Sequence, residues 1–154
     1  MVRIFVDTGS DPFYYGQSEL PSLIQEIVKY GLLGFVRGVL EGKAHVSRFI
    51  LEKIYQYSVM HYQNDILTTV IEHGKDKEIM LIQNHSGYGS FNPLFFALKD
   101  PKIDSAQFKF LVQLGGDIHS VDMVGNNLLH ILYQGLNMSG QKELQVLEFL
   151  LSRG

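Results

Sequence analysis

A chain of 154 residues, 45% of them hydrophobic and 19% charged, carries enough apolar material for one compact domain or a short array of stacked units. Its formal net charge is −3 and its 13 lysines and arginines are scattered. There is no basic stripe to displace counterions from phosphates, so nucleic acid is not an expected partner. The absence of cysteine excludes disulfides, thiolate metal sites and a cysteine nucleophile.

In chain order, residues 1–20 are expected to form an irregular N-terminal leader. Its apolar run Ile4-Phe5-Val6 is cut off by Asp7, which leaves it too short for a signal peptide. The segment Asp7-Thr8-Gly9-Ser10 shares the wording of an aspartic-protease catalytic turn. That chemistry takes two aspartates sharing one proton, one from each half of a β-rich body. The chain holds no second copy of the motif, so the expected reading is a short strand or turn with Asp7 or Ser10 capping backbone.

From residue 21 onward the pattern is helix, turn, helix, longer loop. Pro21–Tyr30 reads as a helix with Ser22 and Gln25 at capping-box spacing, and Leu32–Leu40 as its partner after a turn at Gly31. Val46–Tyr57 and Asn64–His73 form a second pair, Pro93–Leu98 and Ser105–Leu114 a third, and Leu128–Gln134 and Gln141–Ser152 a fourth. Residues Gly135–Gly140 are an inserted turn with Ser139 as a cap for the last helix. Strand alternation is nowhere sustained. The longest apolar stretches, Leu32–Val36 and Ile79–Ile82, fall far short of the roughly 20 residues that span a bilayer, so no membrane span is expected.

Glycines at 42, 74, 115 and 154 each follow an apolar run at helical spacing. Glycine takes the left-handed conformation that closes a helix at no steric cost. The separations of 32, 41 and 39 residues fall in the range of a stacked supersecondary unit, with loops of varying length inserted between constant helices.

The most informative stretch lies before the third and fourth pairs. Asn92-Pro93-Leu94 places an amide side chain at the cap and a proline in the first helical position, where its missing N–H costs nothing. Thirty-five positions on, Asn127-Leu128-Leu129-His130 repeats the cap and the leucine. Ahead of it, Gly115-Gly116-Asp117-Ile118-His119 and Asp122-Met123-Val124-Gly125 have the composition of a tight hairpin turn. Together these segments resemble the signature of the ankyrin repeat family, in which glycine-alanine-aspartate is followed by aspartate-x-x-glycine-x-threonine-proline-leucine-histidine. Gly115, Asp117, Asp122, Gly125, Leu129 and His130 match in order and spacing, while Gly116 stands for the alanine, Asn127 for the threonine and Leu128 for the proline. The preceding unit keeps Pro93 and Leu94 but has Phe95 for the histidine, and the two before it keep only the helix pair and closing glycine. The resemblance covers residues 90–154 clearly and 20–89 faintly.

The resemblance implies an all-α, ankyrin-like helical-repeat solenoid over residues 21–154, about four helix pairs stacked because one pair cannot bury its own apolar face. It implies a protein-protein interaction module with no catalytic group of its own, no cofactor and no bound metal. The expected partner is another protein, met through the hairpin tips and the inner helix face. The residues placed there are His85, Tyr88, His119, Asp122, Met123 and Asn126. Gly87 and Gly89 around Tyr88 lack the strand and the lysine of a phosphate loop. The six histidines form no metal-ligand spacing, and His130 occupies the family's helix-capping place. Phe91, Phe95 and Phe96 are expected in the core, with most tyrosines packed between repeats. The sequence stops at Gly154, where the family continues into another hairpin, so further repeats or another domain are expected to follow. A second reading makes the array the targeting arm of a larger enzyme or effector from an intracellular bacterium or virus, with the catalytic domain outside this chain. The expected location is cytoplasmic, or the host cytosol for a secreted effector.

Overall fold

Apolar residues recurring at three- and four-residue spacing dictate helices, and the computed structural model is all-helical across the residues it describes: 20–42, 46–73, 91–135 and 140–153. Among these are eight helices: α1 (Leu20–Lys29), α2 (Leu33–Leu40), α3 (Arg48–Met60), α4 (Asn64–His73), α5 (Pro93–Lys99), α6 (Ser105–Gln113), α7 (Leu128–Gly135) and α8 (Gln141–Arg153). The leader, Gly74, the Gly87–Gly89 segment and the Ser139 cap lie outside the described residues. No helix among the described residues is long and apolar enough to cross a membrane.

The chain divides into two compact units, Met1–Ile79 and Met80–Gly154. In the first, α1 folds back on α2 and α3 on α4, and the hairpins pack with α1 against α3 and α2 against α4. The packed faces carry Ile24, Ile27 and Val28 from α1, Val36 and Val39 from α2, Ile54, Tyr55 and Val59 from α3, and Ile66, Leu67 and Val70 from α4, all buried. Each such side chain contributes about 1.5–3 kcal/mol by leaving water. Ser58 is buried among them and satisfies its hydroxyl by donating to Ile54 O at 2.6 Å.

The second unit repeats the arrangement. Here α5 folds on α6 and α7 on α8, with α5 against α7 and α6 against α8. Its core holds Leu94, Ala97, Ile103, Phe108, Leu111, Leu128, Ile131, Leu132 and Val146. Phe95 is buried as expected, whereas Phe91 and Phe96 are half-buried and lie against each other with ring centroids 5.4 Å apart.

Helix ends account for most departures from the sequence reading. Helix α1 begins ahead of Pro21, so Ser22 sits exposed within the first turn and not at the cap. Helix α3 runs on to Met60 and closes in a Schellman motif, with Tyr62 N–H donating to Val59 O at 3.4 Å and Gln63 N–H to Ser58 O at 2.9 Å. The left-handed residue of that motif is Tyr62, at φ +58°. Gly31 after α1 and Gly115 after α6 close the same motif at φ +65° and +105°. Helix α2 instead ends on Glu41 in a right-handed conformation, its N–H donating to Arg37 O.

Candidate functional site

The segment between α6 and α7 is held by short backbone turns and by side chains bonding to nearby backbone. Asp117 Oδ1 accepts the His119 N–H at 2.8 Å, an Asx turn that starts the loop. The buried Ser120 donates its hydroxyl to Asp117 O at 2.8 Å and accepts Asn92 Nδ2 at 3.0 Å. Asn92 itself caps α5, its Oδ1 accepting the Leu94 and Phe95 N–H groups at 2.9 and 3.2 Å. One amide side chain thereby fixes both the start of a helix and the base of the loop.

Past Ser120 the chain turns back on itself. Val121 and Asn127 form an isolated antiparallel bridge, and Asp122 N–H donates to Asn126 O at 2.8 Å. Inside this turn the Asp122 carboxylate accepts Val124 N–H at 2.9 Å and Asn126 N–H at 2.8 Å on one oxygen, and Asn126 Nδ2 at 3.1 Å on the other. The bond from the Asn126 backbone is the main reason its pKa lies below the ordinary aspartate value; desolvation opposes it, and the Asn126 side chain and Val124 backbone add to the lowering. Gly125 completes the turn at φ +88°, where a residue with a Cβ is strained.

This scaffold leaves an apolar tip in solvent. Met123 is 59% exposed and Val124 85%. Beyond the loop, Asn127 and His130 cap α7 reciprocally. Asn127 Oδ1 accepts His130 N–H at 3.1 Å, and His130 Nδ1 lies 3.2 Å from the Asn127 backbone nitrogen and 2.7 Å from Oδ1. A ring nitrogen without hydrogen accepts the first contact and a protonated one donates to the second. In either state His130 holds the helix start.

Of the expected contact residues, Asp122, Met123 and Asn126 come together in one turn, with His119 exposed on the arm leading into it. His85 and Tyr88 lie outside the described residues. The four that are described divide by role: Asp122 and Asn126 spend their polar atoms on the loop itself, whereas Met123 faces outward. Two outward-facing residues were missed. Val124 is the most exposed large apolar residue among the described residues, and Tyr133, 77% exposed, follows Leu129 by one helical turn on α7. The Leu129–Tyr133 spacing was readable in the sequence; that both side chains are exposed was not.

Gly116, where the ankyrin signature has alanine, has a local reason. A Cβ there would lie 3.1 Å from Leu94 Cγ and Cδ2 and 3.0 Å from the Leu111 carbonyl oxygen. Leu94 fills the space a methyl group would take.

A second kind of contact ties successive hairpins. Gln63, in the turn ahead of α4, donates Nε2 to Lys29 O at the end of α1, at 3.2 Å. Lys142, at the start of α8, donates Nζ to Ala97 O and Asp100 O at the end of α5, both at 2.8 Å. Burial pushes the Lys142 ammonium below the usual lysine value. In both units a side chain from the second hairpin reaches back to the carbonyl end of the first helix of the hairpin before it, where cations and donors are favoured.

No protein-family model matches the chain. No curated protein matches it either, and no solved structure does.

Proposed function

We propose that the chain is a protein-interaction module built as an ankyrin-type array of helix hairpins, presenting Met123 and Val124 to a partner protein. The observation that carries this reading is the turn around Asp122. Three bonds to one carboxylate and a positive-φ glycine hold two large apolar side chains away from the protein's own core. A fixed apolar tip loses little conformational freedom on docking, so more of the contact energy appears as affinity. The array reading draws support from the hairpins packing first helix on first and second on second in both units, and from the matching Gln63 and Lys142 ties.

Reversing the charge at Asp122 removes the scaffold and the contact together, so it cannot separate them. The clean variant is Met123→Ser with Val124→Ser, because both side chains are exposed and neither supports the loop. Quantitative capture from lysate with the full chain as bait is expected to fall at least about tenfold for that variant, with the far-ultraviolet circular dichroism unchanged; apolar anchors at interfaces carry losses of this order. The same partners captured at the same strength would sink the placement.

A further inference from the structure

One of the two side chains at the loop tip is a thioether, and this gives the tip a chemistry that an aliphatic residue would lack. Two of the chain's five methionines lie among the described residues. Met60, at the end of α3, is half-buried, whereas Met123 is exposed. A thioether sulfur carries no proton, so a peroxide oxidises it without help from a base, and susceptibility follows exposure.

The consequence of oxidation depends on where the methionine sits. Within a core a sulfoxide disrupts packing. Met123 makes none of the bonds that shape its own turn. The N–H groups of Val124 and Asn126 and the Asn126 side chain all donate to the Asp122 carboxylate. The Gly125 N–H donates to Asp122 O at 3.0 Å. With these donors occupied, an oxygen added to the Met123 sulfur bonds to water, and the turn has no reason to rearrange.

We propose that Met123 is a reversible oxidation site through which a peroxide switches off the apolar tip, an inference that rests on the tip being the docking surface. The sulfur lone pair attacks one peroxide oxygen, the O–O bond breaks and an S–O bond forms. Proton transfer to the departing hydroxide releases water. Sulfur is oxidised by two electrons and the peroxide is reduced by two. The side chain now ends in a strong hydrogen-bond acceptor. Docking would strip that oxygen of its water, and an apolar contact offers no donor in return, which is unfavourable. Methionine sulfoxide reductases, one for each epimer at sulfur, restore the thioether, and the exposed tip is open to them.

The test treats the full chain with hydrogen peroxide, removes the excess with catalase, and maps the added oxygen by peptide mass spectrometry. The treated chain then serves as bait in desalted lysate free of reductant. Oxidation is expected at Met123 ahead of Met60, with the far-ultraviolet circular dichroism unchanged. Capture should fall at least about fivefold as oxidation of Met123 completes, as burial of an unpaired acceptor requires. It should return after both reductases and dithiothreitol have acted. The Met60→Leu chain should lose capture on peroxide as the unaltered chain does. The Met123→Leu chain, compared with its own untreated sample, should lose none.

Undiminished capture by fully oxidised bait, while the Met123→Ser, Val124→Ser chain fails to capture, would overturn the switch and leave the tip standing. Full capture by that doubly substituted chain would remove the tip and the switch with it. Oxidation of Met60 ahead of Met123 would also overturn the proposal. So would a loss that persists in Met123→Leu or resists the reductases, since its cause would then lie elsewhere.

Discussion

Residues 20–73 and 91–153 each set two helix hairpins side by side, and they secure that arrangement with different chemistry. In the first unit the tie between hairpins is a neutral amide, Gln63 on Lys29 O. The reversal before it rests on Tyr62 in a left-handed conformation that costs a residue with a Cβ about 1–2 kcal/mol. In the second unit the tie is the Lys142 ammonium on two carbonyls, and the loop between hairpins is a chain of Asn92, Ser120, Asp117, Asp122 and Asn126. The helix stack is common to both units, so packing of the apolar faces suffices for it. The signature residues add something else: they order the loop and decide which side chains it shows to solvent.

The largest effect that tests this division lies in the core of the second unit. Leu94→Ala is expected to cost about 2–5 kcal/mol by urea denaturation, as for other fully buried leucines, whereas Leu129→Ala at the matching position should cost less than about 1 kcal/mol. Gly116→Ala should cost about 1 kcal/mol on its own, because its methyl group meets Leu94. In the Leu94→Ala background most of that cost should vanish, a coupling that a double-mutant cycle reads directly. Equal costs for Leu94 and Leu129 would mean the two hairpins are not covered differently after all.

The ties come next. Lys142→Met keeps the aliphatic stem and removes two charge-assisted bonds to the end of α5, with an expected loss of about 1–2 kcal/mol. Gln63→Ala removes one neutral and exposed bond, and about 0.5 kcal/mol is expected. Thermal or urea midpoints of the two variants rank them. A larger loss at Gln63 would reverse the contrast between an amide tie and a cationic one.

What could be read from the sequence follows the same line. Helices were legible because apolar spacing is local, and so were the Asn92 cap, the His130 cap and the Asp122 turn, whose partners lie within four residues. The Tyr62 closure was not, because the expected signal for a left-handed residue is glycine and the tyrosine takes that conformation within the packed unit. The Gln63 and Lys142 ties join residues 34 to 45 positions apart, and only folding brings them together. In the candidate site, sequence pattern found the loop but could not divide it. Asp122 and Asn126 look like contact residues until their bonds are seen, and Val124 gains its importance only from those bonds.

The smallest expected effect reports on that division most directly. The Asp122 carboxylate accepts its bonds most strongly while ionised, and those bonds hold its pKa below the ordinary aspartate value. A group with a depressed folded pKa contributes its full ordering above the unfolded value, about 3.9 for aspartate, and loses it as pH falls through the lower folded value. Acidification should therefore shift the Val124 and Asn126 amide resonances with a midpoint below that of free aspartates. Because these bonds all lie within one loop, global stability should barely change over the same step. Asp122→Asn should abolish the transition and loosen the tip at neutral pH, since an amide oxygen is a weaker acceptor without charge. Amide resonances that move at or above the ordinary aspartate value would show that the carboxylate does not hold the loop. The exposure of Met123 and Val124 would then need another cause.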